Sequence, residues 1–254
     1  MYVACSTGSF ARLPLDNALR LMAELEFSKV DVVIAEQGAH VTPTEVVNDV
    51  AAAALRIRIG PSLTPAAFCA ELDTLEGEQF QLQLKALCRL ARHTAVTLLC
   101  IPAAPNGAGL DFEVRRLRPL VQMVESEGLV LTVPTRTGTV TEFPAAAREL
   151  CERVPGLGLT LDPSHYINGP HQGGSYDELF PFVRHVQLRD TGKAPGKFQV
   201  RVGQGEIEYG RIISQLQRHR YDRLLTVALH DVAEAPFAME TEVRKLKYLL
   251  ESLV

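Results

Sequence analysis

Short runs rich in Val, Ile and Leu alternate with amphipathic stretches from one end of this chain to the other, eight times over. Parallel strands need a long crossover between them, and a helix is the usual one, so this alternation predicts a parallel sheet covered by helices. Strands are expected at 2–5, 30–34, 56–60, 95–101, 129–133, 158–161, 185–188 and 224–229. Helices are expected at 16–25, 44–54, 77–93, 112–127, 141–153, 176–182, 209–218 and 239–253. No glycine-rich dinucleotide fingerprint follows the first strand, which favours closure into a (β/α)8 barrel over an open doubly wound sheet. A length of 254 residues suits one such barrel domain over 1–254. Chemistry would then sit where the C-terminal ends of the strands meet their loops.

Local signals agree with this reading. Pro43, Thr44 and Glu45 place proline and an acidic side chain in a first helical turn, where amides are free and the helix dipole is positive. Thr141 and Glu142 are read in the same way. Val243, Leu246, Leu249, Leu250 and Leu253 recur at three- and four-residue spacing, an apolar stripe suited to the barrel wall. Segments 102–109 and 168–174, rich in Gly and Pro, follow strands and are candidate mouth loops.

Composition narrows the function classes. With 46% apolar and 22% charged residues and no apolar run of membrane-spanning length, neither a transmembrane helix nor a membrane partner is expected. The first residues, MYVACSTGSF, lack a basic start and a long apolar stretch, so no secretory signal is predicted and a cytoplasmic location is expected. A net charge of −4 and a pI near 6.0 give no electrostatic reason to bind nucleic acid. The five cysteines, Cys5, Cys69, Cys88, Cys100 and Cys151, are scattered without CxxC pairing. That argues against a disulfide framework and a thiolate metal site, and for buried apolar packing.

Three segments concentrate polar groups. Leu159-Thr-Leu-Asp-Pro-Ser-His165 puts Asp162 at a strand end and His165 just beyond it. In Val183-Arg-His-Val-Gln-Leu-Arg-Asp190, His185, Gln187 and Arg189 share one strand face by alternation. Arg201-Val-Gly-Gln-Gly-Glu-Ile-Glu-Tyr209 is a glycine-rich loop running into a helix, where backbone amides could hold an anion.

In this order the segments resemble the second half of the xylose-isomerase-like TIM barrels, a superfamily of sugar isomerases, ketose epimerases and apurinic endonucleases. LDPSH, HVQLRD and VRVGQGEIEY are similar to that family's LDPSH-, HVHLKD- and VPLGEGEIDF-like motifs, and HRYDRLLTVALHD is similar to the turn before its last strand. A Leu-Glu-Phe turn before strand two and Gly128-Leu-Val-Leu-Thr-Val133 as strand five extend the resemblance.

The resemblance also implies a divalent metal held by four side chains, and the matching positions depart from it. The glutamate ending strand five corresponds to Pro134, and the one on the last strand to Ala228. Asp162 is retained, and Gln187 stands for the second histidine, a weaker ligand for transition metals. In the resembling epimerases the two missing glutamates are also the acid/base pair. No metal is therefore expected with the usual ligand set and no other cofactor is expected, while a weak or displaced divalent site remains conceivable. Such a site would be built from Asp162, His165 and His185, or from His40, Glu36 and Asp31.

The expectation is a sugar isomerase/epimerase-family protein with a small-sugar or polyol cavity and a degenerate metal site, the alternative being a noncatalytic binder or regulator. Asp162, His165 and His185 are the candidate proton carriers. Gln187, Arg136, Arg201 and Glu206 are the candidate ligand-orienting groups, with His230 and Asp231 as further mouth residues. An apurinic endonuclease would need a metal cluster and a basic face. Homodimerisation is implied by family habit alone.

Overall fold

The computed structural model describes residues 1–58, 63–233, 235 and 237–254. Eight parallel strands close into a barrel in sequence order, β1 pairing with both β2 and β8. They are β1 Tyr2–Ser6, β2 Lys29–Ala35, β3 Thr64–Glu71, β4 Leu98–Cys100, β5 Val130–Pro134, β6 Gly158–Leu161, β7 Val183–Leu188 and β8 Leu224–Val227. The helices around them are α1 Leu15–Glu24, α2 Pro43–Asn48, α3 Val50–Ile57, α4 Gly77–Thr94, α5 Leu110–Ser126, α6 Pro144–Arg153, α7 Ser164–Asn168, α8 Tyr209–Arg218 and α9 Met239–Glu251. No described helix is long and apolar enough to cross a membrane.

Seven of the expected strands lie within a few residues of those seen, but the third does not. Arg56 and Ile57 close α3, where Ala53, Ala54 and Ile57 form a buried helical stripe and the Asp49 side chain accepts from Ala52 N. Residues 59 and 60 of that expected strand lie outside the described residues. The true third strand reads TPAAFCAE, whose alanines and proline carry little β-propensity. It nonetheless makes a long pairing with β2, from Lys29↔Thr64 to Ala35↔Glu71. The expected helix 44–54 is two helices, because Asp49 is extended (φ −152°, ψ 93°) between them.

Caps explain several boundaries. Thr42 and Glu45 form a reciprocal capping box with Pro43 in the first turn of α2. The expected start at Thr141 is displaced to Pro144, because proline pushes Phe143 into an extended conformation (φ −110°, ψ 136°). Thr141 instead donates to the Pro134 carbonyl (2.7 Å), tying the loop to the end of β5. The expected 176–182 helix is a 3₁₀ turn, Asp177–Phe182. In α9, Val243, Leu246 and Leu250 are buried against the wall, with Leu249 and Leu253 at the margin.

The barrel interior is polar as well as apolar. Thr132 and Thr160 bond through their hydroxyls (2.8 Å), Thr160 faces His185 Nδ1 (3.4 Å), and His185 Nε2 lies 3.0 Å from Thr226 and 3.2 Å from Asp31. Five strands thus contribute to one buried ring of polar groups. Two residues further along the same strands come Pro134, Asp162, Gln187 and Ala228, since every second side chain shares a face.

The loop after β4 is anchored from α5. Buried Glu113 accepts from Ala104 N (3.0 Å) and from Arg116 Nε (2.6 Å) and Nη2 (2.8 Å), and Arg116 also donates to the Pro102 carbonyl (2.8 Å). Breaking such a pair leaves an uncompensated buried charge. The Glu113→Gln variant is expected to lose about 3–5 kcal/mol in urea unfolding; a loss below about 1 kcal/mol would mean that the pair does not anchor this loop.

Candidate functional site

At the C-terminal ends of the strands lies a cavity of about 290 Å³. Its walls include Cys69 and Glu71 of β3, Pro134 of β5, Gln187 of β7, and Arg189, Ala228 and His230 from the loops beyond the last strands. Pro134 and Ala228, the positions where the resemblance expects metal-binding glutamates, therefore both face this space and bring no donor side chain to it.

The retained Asp162 is buried and already engaged. Its Oδ2 is ion-paired with Arg189 Nη2, and its Oδ1 accepts from Ser164 N (3.0 Å). Burial opposes ionisation of this carboxyl, but Arg189, His165 and the Ser164 hydroxyl outweigh it and hold it below the usual range. Arg189 also lies over the Phe198 ring (4.9 Å to its centroid) and donates Nη1–H to His230 Nε2 (3.0 Å). A guanidinium thus supplies the positive charge beside Asp162, flanked by aromatic and imidazole faces.

Both imidazoles here are kept neutral near pH 7. His165 sits 3.8 Å from Asp162 Oδ2, with Nδ1 facing Thr137 N (3.3 Å), and desolvation lowers its pKa despite that carboxylate. His230 is an exposed residue, but Arg189 lies against its Nε2 and, ahead of desolvation, pushes its pKa well down.

The other expected residues are distributed unevenly. His185 lies beneath the cavity, fully buried, joined to Asp31 rather than to Asp162. Gln187 lines the cavity and reaches down to Asp31 Oδ2 (3.1 Å) and Cys69 Sγ (3.2 Å). Arg136 forms a two-pronged pair with Glu71 (2.9 and 2.8 Å), which fixes one rim. Arg201 is exposed and is not among the lining residues. Glu206 borders a separate surface hollow, 3.8 Å from Lys193. Asp231 is tied to Arg12 (2.7 Å).

Two expectations need correction. The trio His40, Glu36 and Asp31 is not assembled: His40 Nε2 bonds the Leu13 carbonyl (2.8 Å) and Glu36 accepts from Thr44 (3.0 Å to N), while Asp31 faces the interior. The amides of the glycine-rich loop do hold an anion, but it belongs to the chain: Asp190 Oδ2 accepts from Gly203 N (2.7 Å) and Gly205 N (3.1 Å). A Cβ at Gly205 would lie 2.1 Å from Asp190 Oδ1, so that position requires glycine.

Sequence reasoning missed Glu71 and Cys69 because both lie on the strand that it misplaced. Arg189 was visible in HVQLRD, and its alternation with Gln187 already pointed it at the mouth.

A family model described as xylose isomerase-like TIM barrel matches residues 19–249. No curated protein sequence matches significantly. The chain superposes on a xylose isomerase domain protein from Alicyclobacillus acidocaldarius (TM-score 0.76, 18% identity, 100% of this chain and 98% of that one). It also superposes on D-allulose 3-epimerase from Methylomonas sp. (0.75, 12%, 100% and 98%) and 3-keto-D-glucoside 4-epimerase YcjR from E. coli (0.73, 15%, 99% and 99%). At these identities the likeness is one of fold.

A pH dependence follows from the two imidazoles. Their folded pKa values are depressed, so the unfolded chain binds more protons below about pH 6.5, and the stabilisation present above that pH is lost progressively on acidification. Urea midpoints are expected to fall from pH 7 to pH 5, and to fall less in His165→Asn. An equal fall in both proteins would show that His165 does not titrate in this way.

Proposed function

Because this chain belongs to the xylose isomerase-like TIM barrel family, we propose that its mouth binds a small sugar or polyol and that it does so without the family's usual metal ligand set. The observation that carries this reading is the pair of bare positions, Pro134 and Ala228, on two separate walls of the cavity. A divalent ion needs several converging donors, and these four positions provide one carboxylate, already paired with Arg189, and one amide. The family's ion does not fit that set.

The remaining groups suit a neutral polyhydroxylated ligand. Gln187, Arg189 and Glu71 offer donors and acceptors around a partly apolar cup, the usual composition of a small-molecule site. Epimerases among the structural neighbours support a carbohydrate as the ligand class. Proton transfer between two faces of a sugar carbon needs two positioned titratable groups, and the positions that would carry them are proline and alanine. The reading is therefore binding or sensing rather than metal-dependent isomerisation.

A thermal-shift screen of sugars and polyols without added metal tests it. Ligand at 100 times Kd stabilises by about 2.7 kcal/mol, which for a chain of this size raises Tm by roughly 5–10 °C. Gln187→Ala is expected to weaken binding about tenfold. No shift with any polyol, or chelator-sensitive incorporation of solvent deuterium into a bound ketose, would overturn the proposal.

A further inference from the structure

At the floor of the cavity, three strands bring together a carboxylate, a thiol and an imidazole. Asp31 of β2, Cys69 of β3 and His185 of β7 each present a ligand atom, all within 4.8 Å of one another, and all three residues are buried. We propose that this cluster is a binding site for a divalent cation of the zinc type, displaced toward the barrel floor from the positions that the family uses.

Several independent features point to a cation there. Asp31 is fully buried, and its Oδ1 has no hydrogen-bond partner. A buried carboxylate oxygen left in that state is costly, and a bound cation removes the deficit. The amide nitrogen of Gln187 already sits between the would-be ligands, 3.1 Å from Asp31 Oδ2 and 3.2 Å from Cys69 Sγ, so the cluster gathers positive hydrogen where an ion would lie. Behind the imidazole, His185 Nδ1 faces the Thr160 hydroxyl (3.4 Å), which is itself bonded to Thr132 (2.8 Å). That support fixes the ring from behind, as the outer shells of metal sites commonly do, while Nε2, 3.2 Å from Asp31 Oδ2 and 3.0 Å from the Thr226 hydroxyl, would exchange these contacts for the metal.

Ligand chemistry selects the ion. Thiolate, imidazole and carboxylate together suit zinc or cobalt and not magnesium or calcium, which prefer oxygen alone. Tetrahedral bonding at zinc distances brings donors to roughly 3.3–3.7 Å from one another, so a small contraction of the cluster suffices. Cys100, the direct register partner of Cys69, lies beside it on β4. Access runs through the cavity, whose lining includes Cys69, Cys100 and Gln187. Binding forms metal–sulfur, metal–nitrogen and metal–oxygen bonds, and the proton displaced from the Cys69 thiol leaves to solvent.

Cobalt(II) titration of the metal-free full chain, without sugar, tests the site. One equivalent is expected to bind with a near-ultraviolet thiolate-to-cobalt charge-transfer band. Cys69→Ser should abolish that band, Asp31→Asn should weaken binding at least tenfold, and Cys88→Ser, on α4, should leave both unchanged. X-ray absorption of the zinc-loaded unaltered chain decides the matter should the Cys69 variant not fold: sulfur in the metal shell supports the site. A shell of nitrogen and oxygen only, substoichiometric binding, or a band that survives in Cys69→Ser would overturn it. Because no sugar is present, failure here leaves the polyol reading standing, and failure of that reading leaves this one standing.

Discussion

Closure of β1 onto β8 is the constraint from which the rest of this molecule follows. Once Tyr2 to Cys5 pair with Leu224 to Val227, no strand edge is left open, and every inward side chain must be accommodated in a space that it cannot leave. Many barrels fill that space with branched apolar residues. Here one level holds Thr132, Thr160, His185, Thr226 and Asp31, whose hydrogen bonds run from strand to strand around the wall. The polar ring fixes side-chain orientations, and through the two-residue period of each strand it also fixes what faces the mouth above it.

At the mouth one buried ion pair organises its neighbours. Asp162 has proline and alanine, not carboxylates, at the Pro134 and Ala228 positions of the same mouth, and it is held ionised by Arg189 lying against it. The guanidinium is in turn held by Phe198 and by the neutral ring of His230. Removal of Arg189 would therefore strand a buried carboxylate and release two neighbours at once, the kind of coupling that makes single substitutions non-additive.

Much of this architecture was legible from residues alone. The alternation of apolar runs and helical spacing located seven strands, and the LDPSH and HVQLRD segments named Asp162, Gln187 and the strand face they occupy. What escaped was tertiary. TPAAFCAE has weak β character and is held in the sheet by its long pairing with β2, a long-range contact that no local window detects. With that strand misplaced, Cys69 and Glu71 could not be assigned to the interior. The scattered cysteines gave no spacing signal because Asp31, Cys69 and His185 come from three separate strands. Only closure brings them together.

The loop around Asp190 is occupied by a side chain of the chain itself. Gly203 and Gly205 aim their amides at a carboxylate that never leaves, and that carboxylate also accepts from Thr191 N (3.1 Å). Asp190 is itself buried, and all three amides are committed to it. The turn thus carries its own counter-charge, so its amides hold the backbone in place from within instead of standing open to solvent.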